Sequence, residues 1–143
     1  MIIDATNLVL GRLASFVAKQ ARLGEKIDIV NCDKAVITGK KTVIFKKYKE
    51  LDEKGTTQWG PYLQKQPDRF VRRTIRGMID HKKPAGKEAY HRVMCYTGVP
   101  AVFVGKEYQK VEAAELVEKA GLRTMTVEQV TQLLKQTSLP RIN

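Results

Sequence analysis

The opening segment constrains the fold more than any other part of the chain. "MIIDA" is a short apolar run that reads as a strand. "LGRLASFVAKQARLG" reads as a helix. "KIDIVN" returns to strand, with Ile27, Ile29 and the adjacent Val30 apolar. Within the helix, Leu13, Val17 and Ala21 recur every four residues, Lys19 and Arg22 sit near its C-terminal end, and Gly24 is placed to end it as the C′ residue. Strand, helix and strand in this order suggest parallel pairing through a right-handed crossover, so the expected class is α/β. "KAVITG" reads as a third strand ending at Gly39, followed by a helix through "KKTVIFKKYKEL". Gly55, Gly60 and Pro61 mark "EKGTTQWGPY" as a loop. Beyond it come an arginine-rich helix, a loop at "HKKPAG", a short helix at "KEAYHRV" and a late strand at "MCYTG". Two helices are expected in the C-terminal third. One is "KVEAAELVEKAG", ending at Gly121. The other is "TVEQVTQLLKQT", which opens with a capping box of Thr126 and Gln129 and buries Val130, Leu133 and Leu134.

The chain has 143 residues, enough for one domain with a real core, and no linker or internal repeat divides it. Lys and Arg number 26 against 15 acids, a formal net charge of +11. Such an excess repels itself in a compact state and points to a polyanionic partner or an anionic surface. The middle of the chain is the basic part: residues 61–100 carry nine basic and three acidic side chains, whereas residues 101–143 carry six and five. No apolar run is long enough to cross a bilayer, and Asp4 with no basic run before it argues against a secretory leader. No basic amphipathic helix sits at either end beside a lipidation signal, so a membrane surface is the weaker reading of the charge. Cys32 and Cys95 make no disulfide framework and are expected to be reduced and buried.

The basic charge has a pattern. "PDRFVRRTIRGMID" places four arginines in eight positions with no acid between Asp68 and Asp80. On a helix with Asp68 as N-cap, Arg69, Arg72, Arg73 and Arg76 fall at i, i+3, i+4 and i+7 and share one face. Val71, Ile75, Met78 and Ile79 lie on the other. An ordinary solvated face would mix in glutamates to form i,i+4 pairs; here like charges sit at that spacing, which is locally unfavourable. Guanidinium groups match phosphate oxygens in bidentate geometry, so a phosphate-bearing partner is the better reading. His81, Lys82, Lys83, Lys87 and Arg92 continue the basic set, and the preceding helix offers Lys40, Lys41, Lys46, Lys47 and Lys49. Tyr48, Trp59, Tyr62 and Tyr90 are interleaved and could stack on unpaired bases, although ordinary packing explains most single aromatics. Trp59, in a polar and glycine-rich loop, is the one best placed for binding.

Other constellations fail on spacing. "TGKKT" lacks the glycine five positions before Gly39 and has Lys41 where a nucleotide-binding phosphate loop needs Ser or Thr. Lys40 and Lys41 keep a simple phosphate-contact reading. His91 and Cys95 have i,i+4 spacing, but no further ligands accompany them and no Cys-x-x-Cys exists, so neither a metal nor another cofactor is expected. Cys32 or Cys95 as nucleophile with His81 or His91 as base has nothing to fix the approach. Asp4, Asp28 and Asp33 lie at strand ends, where they are expected to bond local backbone.

Three blocks in order resemble a known family, the universal large-subunit ribosomal protein thirteen, in its archaeal branch. They are "DATNLVLGRLAS" at 4–15, "VNCDKAVITG" at 30–39 and "VRRTIRGMI" at 71–79, the last followed by Gly86 and "VMCYTG". The matching positions include Gly11, Arg12, Gly39, Lys40, Arg72, Arg73, Arg76, Gly77, Gly86 and Gly98. Asp80 stands where the family usually has proline, which puts an acid at the edge of the basic surface. The resemblance covers residues 2–98, with 107–143 as a helical extension of the same single domain. It implies a three-layer α/β/α fold with a four-stranded parallel sheet. It also implies a structural, non-enzymatic role in the cytoplasmic ribosome, with large-subunit rRNA and neighbouring ribosomal proteins as partners and a part in subunit assembly. Arg12, Lys40, Lys41, Lys46, Lys47, Trp59, Arg69, Arg72, Arg73, Arg76, Lys82, Lys83, Lys87 and Arg92 are the residues expected to meet RNA. The rival readings are a free regulatory RNA-binding protein and an α/β enzyme acting on a phosphorylated substrate.

Overall fold

The computed structural model describes residues 1–56, 58–117 and 121–137. Strand β1 (Ile2–Asp4) leads into helix α1 (Leu10–Arg22) and returns as β2 (Ile27–Val30). The two strands pair in parallel, Ile3 opposite Ile29, as the strand–helix–strand pattern requires. α1 buries Leu10, Leu13, Ala14, Val17, Ala18 and Ala21, one apolar stripe at helical spacing. It ends at Leu23, whose N–H reaches back to the last turn, and Gly24 follows with a φ of 104°, a conformation that glycine adopts without penalty.

After β2 the chain leaves the sheet. Asn31 takes a left-handed conformation with a φ of 54°, and a single 3-10 turn at Cys32–Lys34 redirects the backbone. Strand β3 (Val36–Thr38) therefore does not join the parallel sheet. It pairs antiparallel with β5 (Thr124–Thr126), Ile37 opposite Met125. The parallel sheet among the described residues has three strands in the order β1-β2-β4, where β4 is Val93–Cys95, and not the four expected. Beside β1 a single bridge joins Ile3 to Gln109, but no strand forms around it.

Four further helices are formed among the described residues: α2 (Lys41–Asp52), α3 (Pro67–Met78), α4 (Pro84–His91) and α5 (Val127–Thr137). α3 and α4 both pack on α1, and α5 packs on α2 and α3. The core is continuous and includes Ile3, Leu13, Val17, Ile27, Ile29, Val71, Ile75, Val93, Val127 and Leu134. Both cysteines are free and buried within it. A hydrogen bond with the Cys32 thiol, together with burial, pushes Cys95 well above the ordinary thiol value, the reverse of an activated nucleophile. His91 ends α4 while Cys95 lies in β4, so the two do not share a helix face.

The helix expected over "KVEAAELVEKAG" is not formed across the described part; residues 118–120 lie outside it. Only Glu112–Ala114 makes a 3-10 turn. Its backbone serves another segment instead: the Val9 N–H donates to the Ala114 carbonyl at 2.8 Å, and the Leu116 N–H donates to the Asn7 carbonyl at 3.2 Å. Val111 and Ala114, spaced for a helix, are buried by this lateral docking. α5 is as expected at its start. The Thr126 hydroxyl accepts from the Gln129 N–H while the Gln129 side chain accepts from the Thr126 N–H, each at 3.3 Å.

Candidate nucleic-acid interface

α3 begins two residues earlier than its charge pattern suggests. Gln66 is the N-cap, Pro67 occupies the first turn, where its missing N–H is harmless, and Asp68 lies inside that turn rather than capping it. There its carboxylate faces the positive end of the helix dipole. Phe70, Val71 and Ile75 point into the core, and Ile79 follows at the C-cap. Burying Val71 and Ile75 stabilises the helix by about 1.5–3 kcal/mol each. Met78, expected on this buried face, is 45% exposed, because it lies in the last turn, where the surface opens beside Leu23.

The opposite face of α3 lines one concavity. Arg69, Arg72, Arg73 and Arg76 surround a volume of about 360 Å³ together with Tyr62, Gln64 and Tyr90. Among the described residues no carboxylate lines it. Among the described residues, none of the four guanidinium groups lies within ion-pair distance of an acid. They are positioned by neutral groups instead. Arg73 donates to the Tyr62 carbonyl at 3.0 Å, and Arg69 donates to the Gln64 side-chain oxygen at 3.5 Å. Arg72 lies over the Tyr90 ring, its guanidinium carbon 4.6 Å from the centroid, a cation–π contact. The segment carrying Tyr62 and Gln64 is held by buried Leu63 and by a Lys65–Asp52 ion pair at 2.9 Å, three-quarters shielded from solvent. The loop is thus fastened to α2, and its polar edge faces α3.

The remaining sequence-predicted residues do not line this groove. Lys40 and Lys41 start α2 and line a separate cavity of about 270 Å³ with Thr42, Arg123 and Thr124. The Gly39 N–H donates to the Arg123 carbonyl at 2.8 Å, so the β3–β5 pairing brings Arg123 beside them. Sequence reading missed Arg123, which is far away in the chain and carries no local signal. It also missed Gln64, an unremarked polar loop residue. Arg12 is exposed in the first turn of α1, and Trp59 is 87% exposed in the loop before α3.

Several cations are already engaged. Lys46 pairs with Glu50 at 4.0 Å, and Lys47 lies 5.8 Å from the centre of the Tyr48 ring. Lys83 pairs with Asp80 at 2.8 Å; that hydrogen bond raises the lysine and lowers the carboxyl from their ordinary values. Arg92 pairs with Glu88 at 3.6 Å and donates to the Ala21 carbonyl at 3.3 Å, near the negative end of α1. Lys82 and Lys87 are exposed on either side of the start of α4. Gly86 has a structural duty there, since any Cβ at that position would meet the Asp80 carbonyl. Gly77 is different: a Cβ would meet nothing within 4 Å, so core packing does not explain it.

The family model described as ribosomal protein L13 matches residues 1–102, a span that contains the whole groove. The chain belongs to the ribosomal protein L13 family. Proteins named large ribosomal subunit protein uL13 are similar along most of their length. That of Methanococcoides burtonii is 40% identical over 133 residues, 93% of this chain and 96% of its own. That of Archaeoglobus fulgidus is 45% identical over 118 residues, covering 82% and 75% respectively. That of Methanosarcina barkeri is 47% identical over 116 residues, covering 80% and 83%. Within this L13-family chain, β5, α5 and Arg123 lie beyond the family match, although the M. burtonii alignment is too long to stop at residue 102.

Proposed function

We propose that this protein is a structural constituent of the large ribosomal subunit, that it binds rRNA through the arginine groove of α3, and that it supports subunit assembly. Its role is mechanical and electrostatic, not catalytic. The observation that carries the reading is the set of four guanidinium groups around one groove with no carboxylate among the lining residues. Like charges at i,i+4 destabilise a helix by about 0.2–0.5 kcal/mol per pair, a cost that phosphate oxygens reverse. The groove residues form the primary contact. Arg12, Lys40, Lys41, Lys82, Lys87 and Trp59 extend it along the surface, with Arg123 joining the Lys40–Lys41 cluster. Lys46, Lys47, Lys83 and Arg92 are secondary, because each already has a partner. RNA backbone and shape are read in preference to duplex base edges, since the A-form major groove is too narrow for side chains. Neighbouring ribosomal proteins and a cytoplasmic location follow from this assignment.

Sedimentation of tagged protein from cell extract, with a high-salt wash, tests the role. The expected result is one copy per large subunit, retained through the wash. Protein remaining at the top of the gradient would contradict it.

A further inference from the structure

Resting on the RNA-binding reading above, we infer that the α3 groove is a seat for one unpaired nucleotide, not only a cradle for duplex phosphates. Three features of the groove distinguish these cases. Its volume of about 360 Å³ is near the lower end of the range of about 300–1,000 Å³ for small-ligand sites. It has room for a base with its sugar. Its lining also mixes charge with flat and amide-bearing side chains: Tyr62, Tyr90 and Gln64 stand among the four arginines. Phosphate recognition needs only the cations. A base needs planar faces for stacking and an amide for its hydrogen-bonding edge.

The third feature is the seating of Arg72. Its guanidinium lies over Tyr90, and its Nε is buried with no hydrogen-bond partner among the described residues. An unsatisfied buried donor is unfavourable, so the site holds this group flat against a ring at the loss of a hydrogen bond. Arg72 and Tyr90 together form a layered floor, and a base can stack on an arginine plane as well as on an aromatic one. The Tyr62 side chain is 61% exposed at the rim, and Gln64 beside it carries the amide. Arg69 and Arg76, both exposed, are placed to take the phosphates flanking the base. Arg73 is pinned to the Tyr62 carbonyl and holds the rim against α3. The ligand class is therefore a nucleotide extruded from a bulge or loop.

The test uses the full chain and six RNA hairpins of equal phosphate number. Four carry a single A, C, G or U bulge, one carries an abasic bulge, and one is an uninterrupted duplex. At least one nucleotide bulge is expected to bind about fivefold or more tighter than the abasic bulge, the smallest effect expected of one stacked base. Tyr62→Ala, which keeps the carbonyl that seats Arg73, should erase that difference between nucleotide and abasic bulges, and Tyr62→Phe should restore it. Equal, salt-dependent binding of all six hairpins would overturn the nucleotide seat and leave the RNA-binding reading intact. No binding to any hairpin by folded protein would overturn both.

Discussion

α2 and α3 are both basic helices of twelve residues, yet their charges are organised in opposite ways. α2 spends its lysines on its own surface: Lys46 reaches Glu50 and Lys49 reaches Glu53, the latter at 3.7 Å, both at i,i+4. Such exposed pairs contribute about 0.3–0.5 kcal/mol and leave little net charge to offer a partner. α3 has four arginines and no carboxylate partner among the described residues; neutral groups fix their directions without cancelling their charge. The proposed interface is placed on α3 for this reason: its charge is oriented but not neutralised, whereas a count of cations alone would not separate the two helices.

The largest test of that contrast is the triple variant Arg72→Ala, Arg73→Ala, Arg76→Ala. At about 0.1 M salt it should lose roughly 10²–10³-fold in rRNA affinity, because each phosphate contact adds about 0.9 to the salt slope of log K. Far-UV circular dichroism should be unchanged, since these residues lie outside the core. A collapsed spectrum would mean that the arginines hold the fold rather than the RNA.

The two faces of α3 should separate cleanly. Ile75→Ala, at a fully buried position, should destabilise the protein by about 2–5 kcal/mol in urea unfolding. RNA affinity of the fraction that remains folded should be nearly unchanged. A matching loss of affinity would show that the groove depends on core packing more than its geometry suggests.

On α2, the double variant Lys46→Ala, Lys49→Ala should shift stability by less than about 1 kcal/mol and binding by less than about threefold. A loss as large as that of the arginine variant would erase the distinction between paired and unpaired charge.

The smallest expected effect concerns a carboxylate held mainly by neutral hydrogen-bond donors, with a smaller contribution from the charge of Lys34. Burial pushes the Asp4 carboxyl up, but hydrogen bonds from the Thr6 hydroxyl, the Asn31 amide and the Thr6 N–H outweigh it and hold it below the ordinary aspartate value. Its folded value lies below its unfolded one. The stabilisation is therefore complete above the ordinary aspartate value and disappears as pH falls through the folded value. Asp4→Asn should flatten that part of the acid unfolding curve, and an unaltered curve would show that these bonds do not discriminate between the charged and neutral forms.

Much of this was legible in the sequence, for local reasons. The limits of α1, the reciprocal cap of Thr126 and Gln129, and the arginine face of α3 all depend on residues within a few positions of one another. The failures are non-local. β3 leaves the parallel sheet because Asn31 adopts a left-handed turn and because β5 offers it an edge from much later in the chain. The segment around Val111 and Ala114 has helical spacing, but its hydrogen bonds go to residues 7–9. At the site, the arginine stripe could be found by periodicity. Gln64, and the meeting of Arg123 with Lys40, required the folded chain. The sequence grouped Lys83 and Arg92 with the interface on charge alone; the folded chain adds that Asp80 and Glu88 pair with them.

The most direct test of the central claim is the salt dependence of rRNA binding, measured side by side for the natural chain, the Arg72/Arg73/Arg76 triple variant and the Lys46/Lys49 double variant. The natural chain should lose roughly 10³–10⁵ in affinity between 50 and 200 mM salt if 6–10 phosphates are contacted. The triple variant should show a slope shallower by about 2.7, and the double variant a slope unchanged within error. Equal flattening in both variants would contradict the assignment of binding to the unpaired arginines of α3.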